Sequence, residues 1–106
     1  MKDSFLQFLA LTKRAGKLVE GYNKSEEYIK LGKVSLCIVS KSISKNSREK
    51  FERLCENHKV KLIIDYEKEV LGNILGRKEI NVISVIDADM SKRLIEIYDN
   101  NQNNRG

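Results

Sequence analysis

The chain has 106 residues, 41% hydrophobic and 33% charged, which suits one ordinary domain and is too short for two. No apolar run reaches the about 18 residues of a membrane-spanning helix, and the first residues lack the order of a secretory signal. The net charge of +5 is uneven, because residues 1–50 hold eleven Lys or Arg against five Asp or Glu, and residues 51–106 hold nine against ten. An excess in one half indicates a positive face, for which a polyanion is the expected partner.

The cysteines and the single histidine do not form a metal site. Cys37 and Cys55 stand in apolar segments and form no Cys-x-x-Cys motif, and His58 is the single histidine of the sequence. Two separate cysteines and one histidine do not make up the ligand set of a zinc site. Free cysteine is among the most buried residue types, so we expect two buried, reduced thiols. His58 closes an apolar stripe near the end of a predicted helix, where packing or capping explains it better than catalysis.

Helical and strand-like patterns alternate along the chain. Apolar residues recurring every three or four positions predict helices at Ser4–Ala15, Asn23–Leu31, 46–58 and Glu67–Leu75, and a last helix that begins at Asp89. Short apolar, β-branched runs predict strands at Lys17–Glu20, Val34–Ser40, Val60–Ile64 and Ile80–Ile86. The alternation predicts an α/β fold with a parallel or mixed sheet and helices on both faces. We expect one domain at residues 1–98 and a disordered tail at residues 99–106, which have nothing to bury.

Two polar pairs predict where helices begin. Asn23 with Glu26, and Asn46 with Glu49, have the three-residue spacing of a capping box. We therefore expect Asn23 and Asn46 to cap the second and third helices.

Signatures of enzymes are scarce. The chain has no Gly-x-Gly-x-x-Gly motif, no P-loop and no Gly-x-Ser-x-Gly elbow. Asp65 and Asp87 follow the third and fourth strands, at the edge where open α/β sheets bind ligands, and a pair of acids could hold Mg²⁺. The alternative function is therefore a small enzyme or receiver-like domain that uses Asp65 and Asp87 with a metal or a phosphorylated ligand. The simpler interpretation is that Asp65 ends a strand and that Asp87 or Asp89 caps a helix.

A protein-binding adaptor is a third option. The sequence shows no feature that favours it, such as an exposed apolar stripe.

The basic residues are more informative, because several stand in loops, where binding residues concentrate. They are Lys13, Arg14 and Lys17 around the first helix-to-strand turn, Lys41 and Lys45 after the second strand, and Arg77 and Lys78 before the fourth. Lys24 stands in the first turn of the second helix, where a cation opposes the helix dipole. A misplaced charge beside a glycine turn and a helix N-terminus is typical of a phosphate site, although a solvated lysine fits as well.

Several motifs follow one another in a recognisable order. They are Gly21-x-Asn23 opening a helix that ends at Gly32, the run VSLCIVS, Leu54-Cys55-Glu56 closing the next helix, and Leu71-Gly72-x-x-x-Gly76 before the last strand. In this order, over residues 5–97, they resemble the L-seven-Ae ribosomal protein family of kink-turn RNA-binding proteins, and especially its short bacterial members. The resemblance implies a three-layer α/β/α sandwich with a mixed four-stranded sheet.

The resemblance also implies a non-catalytic protein without cofactor that recognises kinked or bulged structured RNA. In the family the N-terminus of the second helix meets the paired guanines at the kink, and the loop before the last strand covers an extruded nucleotide. With Lys17 and Lys41 added from nearby turns, the RNA-binding residues would be Gly21, Tyr22, Asn23, Lys24, Arg77, Lys78, Glu79 and Ile80. The expected partner is ribosomal RNA with a kink-turn, bound by a cytoplasmic monomer that is a ribosomal or ribosome-associated protein; membrane, DNA and metal are not expected.

Two charges depart from the family pattern. The family commonly has Glu directly after the Asn, accepting from guanine, and Lys four residues after the Asn, whereas this chain has Lys24 and Glu27. A lysine cannot accept a hydrogen bond. We therefore expect weaker discrimination between bases and a larger contribution from phosphate contacts, with Asn23 both capping its helix and contacting RNA.

Overall fold

The computed structural model describes residues 3–103, in which helices and strands alternate. The helices are α1 (Ser4–Arg14), α2 (Tyr22–Lys30), α3 (Lys45–Asn57), α4 (Lys68–Ile74) and α5 (Ala88–Asn103). The strands are β1 (Leu18–Glu20), β2 (Leu36–Ser40), β3 (Lys61–Tyr66) and β4 (Val82–Val85). Every element predicted from the sequence is therefore present, with ends that differ by a few residues.

The four strands form one mixed sheet in the order β1-β4-β2-β3. Strand β4 is antiparallel to both β1 and β2, while β2 and β3 are parallel. Because β4 runs against the other three strands, its start lies at the edge of the sheet where β1, β2 and β3 end. The mixed four-stranded sheet confirms the predicted fold class.

Strand β2 shows how the sheet divides the core into two layers. Its residues alternate, with Leu36 and Ile38 packing towards α1, α4 and α5, and Cys37 and Val39 packing towards α2 and α3. Cys37 and Cys55 are both buried and form no disulfide, as predicted. The neighbouring Cys55 thiol and burial together raise the pKa of the Cys37 thiol.

The helix starts depend on local hydrogen bonds that differ from the predicted ones at α3. Ser44 caps α3 by accepting from the Ser47 N–H at 3.2 Å, so the prediction of Asn46 as the cap is wrong. Ser44 is the last residue before α3 in an extended conformation, and Asn46 already lies inside the first helical turn.

His58 is the C-cap at the other end of α3, and its side chain is exposed.

The last helix is longer than predicted. Residues 99–103 belong to α5, so the expected disordered tail does not begin at residue 99, and residues 104–106 lie outside the described residues. Ile97 and Tyr98 pack against the core, and Gln102 Nε2 donates to Asp65 Oδ2 at 3.3 Å, which keeps this end of α5 on the sheet. Within residues 3–103, no helix has the length and apolar composition needed to cross a membrane.

Candidate nucleic-acid interface

Most of the predicted RNA-binding segments meet at one edge of the sheet, the edge at which β1, β2 and β3 end and β4 begins. The Gly21 N–H, directly after β1, donates to the Val82 carbonyl at the start of β4 at 2.9 Å. The Lys41 N–H, directly after β2, donates to the Tyr66 carbonyl at the end of β3 at 2.9 Å. The loop 77–80 leads into β4 and reaches the same edge. We call the residues there the candidate face: Gly21, Tyr22, Asn23, Lys24, Lys41, Arg77 and Lys78.

Gly21 turns the chain sharply from β1 into α2. Its φ of 112° and ψ of 159° are values that L side chains rarely adopt, so glycine is required by conformation. A Cβ at this position would meet no atom within 4 Å, which leaves the surface in front of Gly21 open. The backbone at Gly21 can therefore be approached closely by another molecule.

The predicted capping box at the start of α2 is wrong. Gly21 is the N-cap, α2 begins at Tyr22, and no side chain caps the helix. The Glu26 carboxylate does not reach back towards Asn23, because it binds Lys50 Nζ at 2.9 Å and Lys30 Nζ at 3.0 Å. The glycine turn starts the helix before Asn23, which leaves the Asn23 side chain in the first turn and facing outwards.

Asn23 and Lys24 are exposed and uncommitted. Within residues 3–103, neither side chain makes a hydrogen bond or an ion pair. The Asn23 amide therefore keeps both its donors and its acceptor, and Lys24 keeps its full positive charge. Because these two side chains form no hydrogen bond or ion pair within the described residues, they are available to bind a ligand.

Tyr22 supports the start of α2 from inside. Its ring lies 5.0 Å from the Phe51 ring, nearly perpendicular to it, and Lys50 Nζ lies 5.1 Å from the Tyr22 ring centre. Lys50 also holds the pKa of the Glu26 carboxyl below its ordinary value, and Glu26 raises the pKa of Lys50 in return. Tyr22 is half-buried between these groups. Its main role is therefore to hold the start of α2 in place, and its ring is not free to stack on a ligand.

The loop 77–80 is tied to α4 by its backbone. The Arg77 N–H donates to the Gly72 carbonyl at 2.8 Å, and the Ile80 N–H donates to the Lys68 carbonyl at 3.1 Å. A Cβ at Gly72 would lie 2.5 Å from Glu79 Cα, closer than any real side chain allows. The loop crosses directly over α4 at this point, so only a glycine fits at position 72.

The loop exposes three of its four predicted contact residues and buries the fourth. Arg77, Lys78 and Glu79 are exposed, and Glu79 pairs with Lys68 at 3.4 Å. Ile80 is 6% exposed and packs into the core with Leu71, so its side chain is not presented on the surface as the prediction of an RNA contact requires. Its burial anchors the end of the loop where the chain enters β4.

One acid that the sequence analysis did not select organises the charges here. Glu20, the last residue of β1, accepts from Arg77 Nε at 2.5 Å and pairs with Lys13 Nζ at 3.3 Å. Lys13 also donates to the Leu75 carbonyl. The signal in the sequence is a lone acid directly before Gly21 in a basic region. Its carboxylate joins the end of β1 to the loop 77–80 and to the end of α1.

The remaining basic residues divide between the two edges of the sheet. Lys41 lies at the candidate face and pairs with Glu67 at 3.5 Å, and Lys45 is exposed as the first residue of α3. The Lys17 carbonyl accepts from the Ile86 N–H at 3.0 Å, beyond the end of β4. Lys17 therefore lies at the opposite edge, about 13 Å of strand away from Gly21. The expectation that it joins the other site residues is wrong.

The two acids of the alternative function do not meet. Asp65 lies near the end of β3 and Asp87 follows β4, and because β4 runs opposite to β3 their positions are at opposite edges of the sheet. Asp87 Oδ1 accepts from the Met90 N–H at 2.8 Å at the start of α5, which is the simpler role considered above. Among residues 3–103, no group of three or more His, Cys, Asp or Glu side chains could hold a metal ion.

Comparison with known proteins finds a family model and a solved structure that match most of this chain. The family model described as "Ribosomal protein L7Ae/L30e/S12e/Gadd45 family" matches residues 3–95. A solved structure of a protein with unknown function from Bacillus halodurans is similar, with a TM-score of 0.89 and 26% sequence identity. That likeness covers 92% of this chain and 99% of the other. No curated protein sequence matches the chain.

Proposed function

Since the chain belongs to the ribosomal protein L7Ae/L30e/S12e/Gadd45 family, and so has an RNA-binding role like that of a ribosomal protein, we propose that it recognises kinked or bulged RNA. The proposed target is ribosomal RNA with a kink-turn, bound by a single copy of the chain in the cytoplasm. The proposed role is recognition of structure, without a chemical step, a cofactor, a membrane or DNA.

One observation carries this proposal: the uncommitted Asn23 and Lys24 side chains lie at the same sheet edge as the exposed, basic loop of Arg77 and Lys78. Two segments separated by about half of the chain are thereby presented to one ligand. The backbone turn at Gly21 sets where the first segment lies, and hydrogen bonds to α4 hold the loop in place.

The chemistry of the candidate face suits a distorted RNA helix. The N-terminus of α2 offers backbone N–H groups and a positive dipole end to phosphate. The Asn23 amide offers both donor and acceptor to a base edge. A regular A-form helix hides base edges in its deep groove, whereas a kink or bulge exposes them. The open surface in front of Gly21 lets a base approach the backbone.

Lys24 shifts the balance towards phosphate. The Glu that commonly follows the Asn in this family would accept from guanine, and Lys24 cannot. Lys24 instead adds a full positive charge at the helix N-terminus. Neutralised phosphates release counterions, so the affinity of this protein for RNA should depend steeply on salt.

The test compares a kink-turn RNA with a straight duplex of equal length, by calorimetry at several salt concentrations. We expect tighter binding of the kinked RNA at every salt concentration. Equal affinity for the two RNAs would reduce the function to generic polyanion binding and contradict the proposal.

Asn23→Ala tests the assigned contact, with Asn57→Ala as the matched control at the far end of α3. Because Asn23 makes no hydrogen bond within residues 3–103, its loss should leave the free energy of unfolding unchanged within about 0.5 kcal/mol. Affinity for the kinked RNA should fall by about 1 kcal/mol or more, while the control binds normally. Normal binding by Asn23→Ala would refute the contact.

A further inference from the structure

A groove of about 400 Å³ runs along the outer edge of β1, the edge that no strand of residues 3–103 covers. At the candidate face it is lined by Glu20, Lys24 and Arg77, and at its other end by Gly16. Tyr28 of α2 lines its side. The volume lies in the range of small-ligand sites, and two of the lining residues belong to the candidate face.

We propose that this groove holds one unpaired nucleotide of the bound RNA, with its phosphate beside Lys24 and Arg77 and its base against Tyr28. The inference rests on the proposed RNA-binding function and extends it from the sheet edge to the free side of β1.

The charges of the groove favour an anion. Glu20 is its acid, and that carboxylate is already shared by Arg77 and Lys13 at 2.5 and 3.3 Å. Lys24 has no ion pair within the described residues. The mouth of the groove therefore carries an excess of positive charge next to the point where the RNA backbone would pass.

Tyr28 supplies an aromatic surface on the same side of α2 as Lys24. The two residues are four positions apart, which places them on neighbouring turns of one helix face. Tyr28 is half-buried, and Lys33 Nζ lies 5.8 Å from its ring centre. An aromatic side chain stacks with any base, since every base has a π-face. A groove lined by an aromatic ring as well as by Lys24 and Arg77 suits a nucleotide, which has both a base and a phosphate, better than a simple phosphate.

The backbone of β1 supplies polar groups for a base edge. The Lys17 carbonyl and the Gly21 N–H both bond to β4. In an antiparallel pair alternate residues face the partner strand, so the backbone groups of Leu18 and Glu20 point away from β4. They point towards the side on which the groove lies, with no covering strand. A base in the groove can hydrogen-bond to them without displacing a protein contact.

The test removes one base at a time from the kink-turn RNA by placing an abasic nucleotide at each unpaired position in turn. For the unaltered protein, one such position should weaken binding roughly ten-fold, the usual effect of one stacked base. For Tyr28→Leu that penalty should vanish, because the base has no ring to stack on. Tyr28→Phe keeps the ring and should keep the penalty. A penalty that survives in Tyr28→Leu at every position would overturn the proposal.

A second measurement needs no variant. The RNA carries 5-bromouridine at the unpaired positions, and ultraviolet crosslinks to the unaltered protein are mapped by mass spectrometry. A crosslink to the peptide containing Tyr28 is expected from the same position as the abasic penalty. Crosslinks confined to residues 77–79 would overturn the proposal and place the base in the loop instead.

Two further outcomes separate this inference from the function it rests on. If the unaltered protein prefers the kinked RNA but no abasic position matters, only the groove assignment fails. If it binds both RNAs equally, the proposed function fails first. A free nucleoside monophosphate titrated by NMR forms the third arm. Shifts of the β1 amides with that ligand, combined with RNA binding that ignores Tyr28, would make the groove a mononucleotide site and overturn its assignment to RNA.

Discussion

The Glu20 carboxylate holds the Arg77 guanidinium at 2.5 Å, although 57 positions separate the two residues in the chain. The same carboxylate pairs with Lys13 at 3.3 Å, so three segments of the fold meet on one largely buried acid. This contact fixes Arg77 beside the groove and partly neutralises the positive charge that RNA would meet. If the candidate face binds RNA as proposed, we expect Glu20 to favour RNA that fits the fixed arrangement over RNA that only supplies phosphates.

Glu20→Gln should make RNA binding tighter but less selective. Loss of the carboxylate frees Arg77 and Lys13 for any phosphate, so affinity for kinked RNA and duplex should converge and the salt dependence should steepen. Because both cations are about half exposed, the free energy of unfolding should fall by at most about 1 kcal/mol. Glu79→Gln makes the same charge change in the loop and is the control. Equal effects in both variants would attribute the change to net charge alone.

Gly72→Ala should displace the loop 77–80. A Cβ at this position would lie 2.5 Å from Glu79 Cα, and backbone cannot give way as a flexible side chain does. We expect the free energy of unfolding in urea to fall by about 1–3 kcal/mol, with weaker binding of the kinked RNA. Asn73→Ala, at the exposed neighbouring position, should change neither quantity. A Gly72→Ala protein with normal stability would contradict the close approach of loop and helix.

Lys24→Gln should lower the salt dependence of RNA binding. Removing one phosphate-neutralising charge reduces the slope of log affinity for the kinked RNA against log salt by about one. Lys92→Gln, an exposed lysine on α5, is the matched control and should leave the slope unchanged. If Lys24→Gln alters the preference between the two RNAs while the slope stays the same, the phosphate role of Lys24 is wrong.

Glu26→Gln should reduce the acid sensitivity of the fold. Hydrogen bonds from Lys50 and then Lys30 lower the pKa of the Glu26 carboxyl in the folded protein. A lowered folded pKa contributes stability above the ordinary pKa of glutamate, about 4.3, and that stability is lost as the pH falls further. Between pH 5 and the folded pKa, the unaltered protein should therefore lose stability more steeply than Glu26→Gln in urea titrations. Glu27→Gln, next to it without an ion pair in the described chain, should behave as the unaltered protein.

The sequence by itself determined the alternation of elements, the fold class and the segments 21–24 and 77–78 as parts of one candidate site. Periodicity was sufficient for the helices and strands, because β2 is buried on both faces and each helix has one buried side. Gly21 marked the turn before the second helix correctly, since its φ is positive. The order of motifs led to the family, which its model confirms over residues 3–95.

Only the tertiary structure decided which of these residues meet. The antiparallel direction of β4 separates Asp65 from Asp87 and puts the loop 77–80 beside Gly21, and strand direction is not encoded in local periodicity. Asn23 was expected to cap α2, but the cap is Gly21, whose φ depends on how β1 pairs with β4. Glu20 acquires its role because the partners Lys13 and Arg77 come from distant segments. Local rules predict elements, whereas long-range pairing decides which side chains are used inside the fold and which remain available to a ligand.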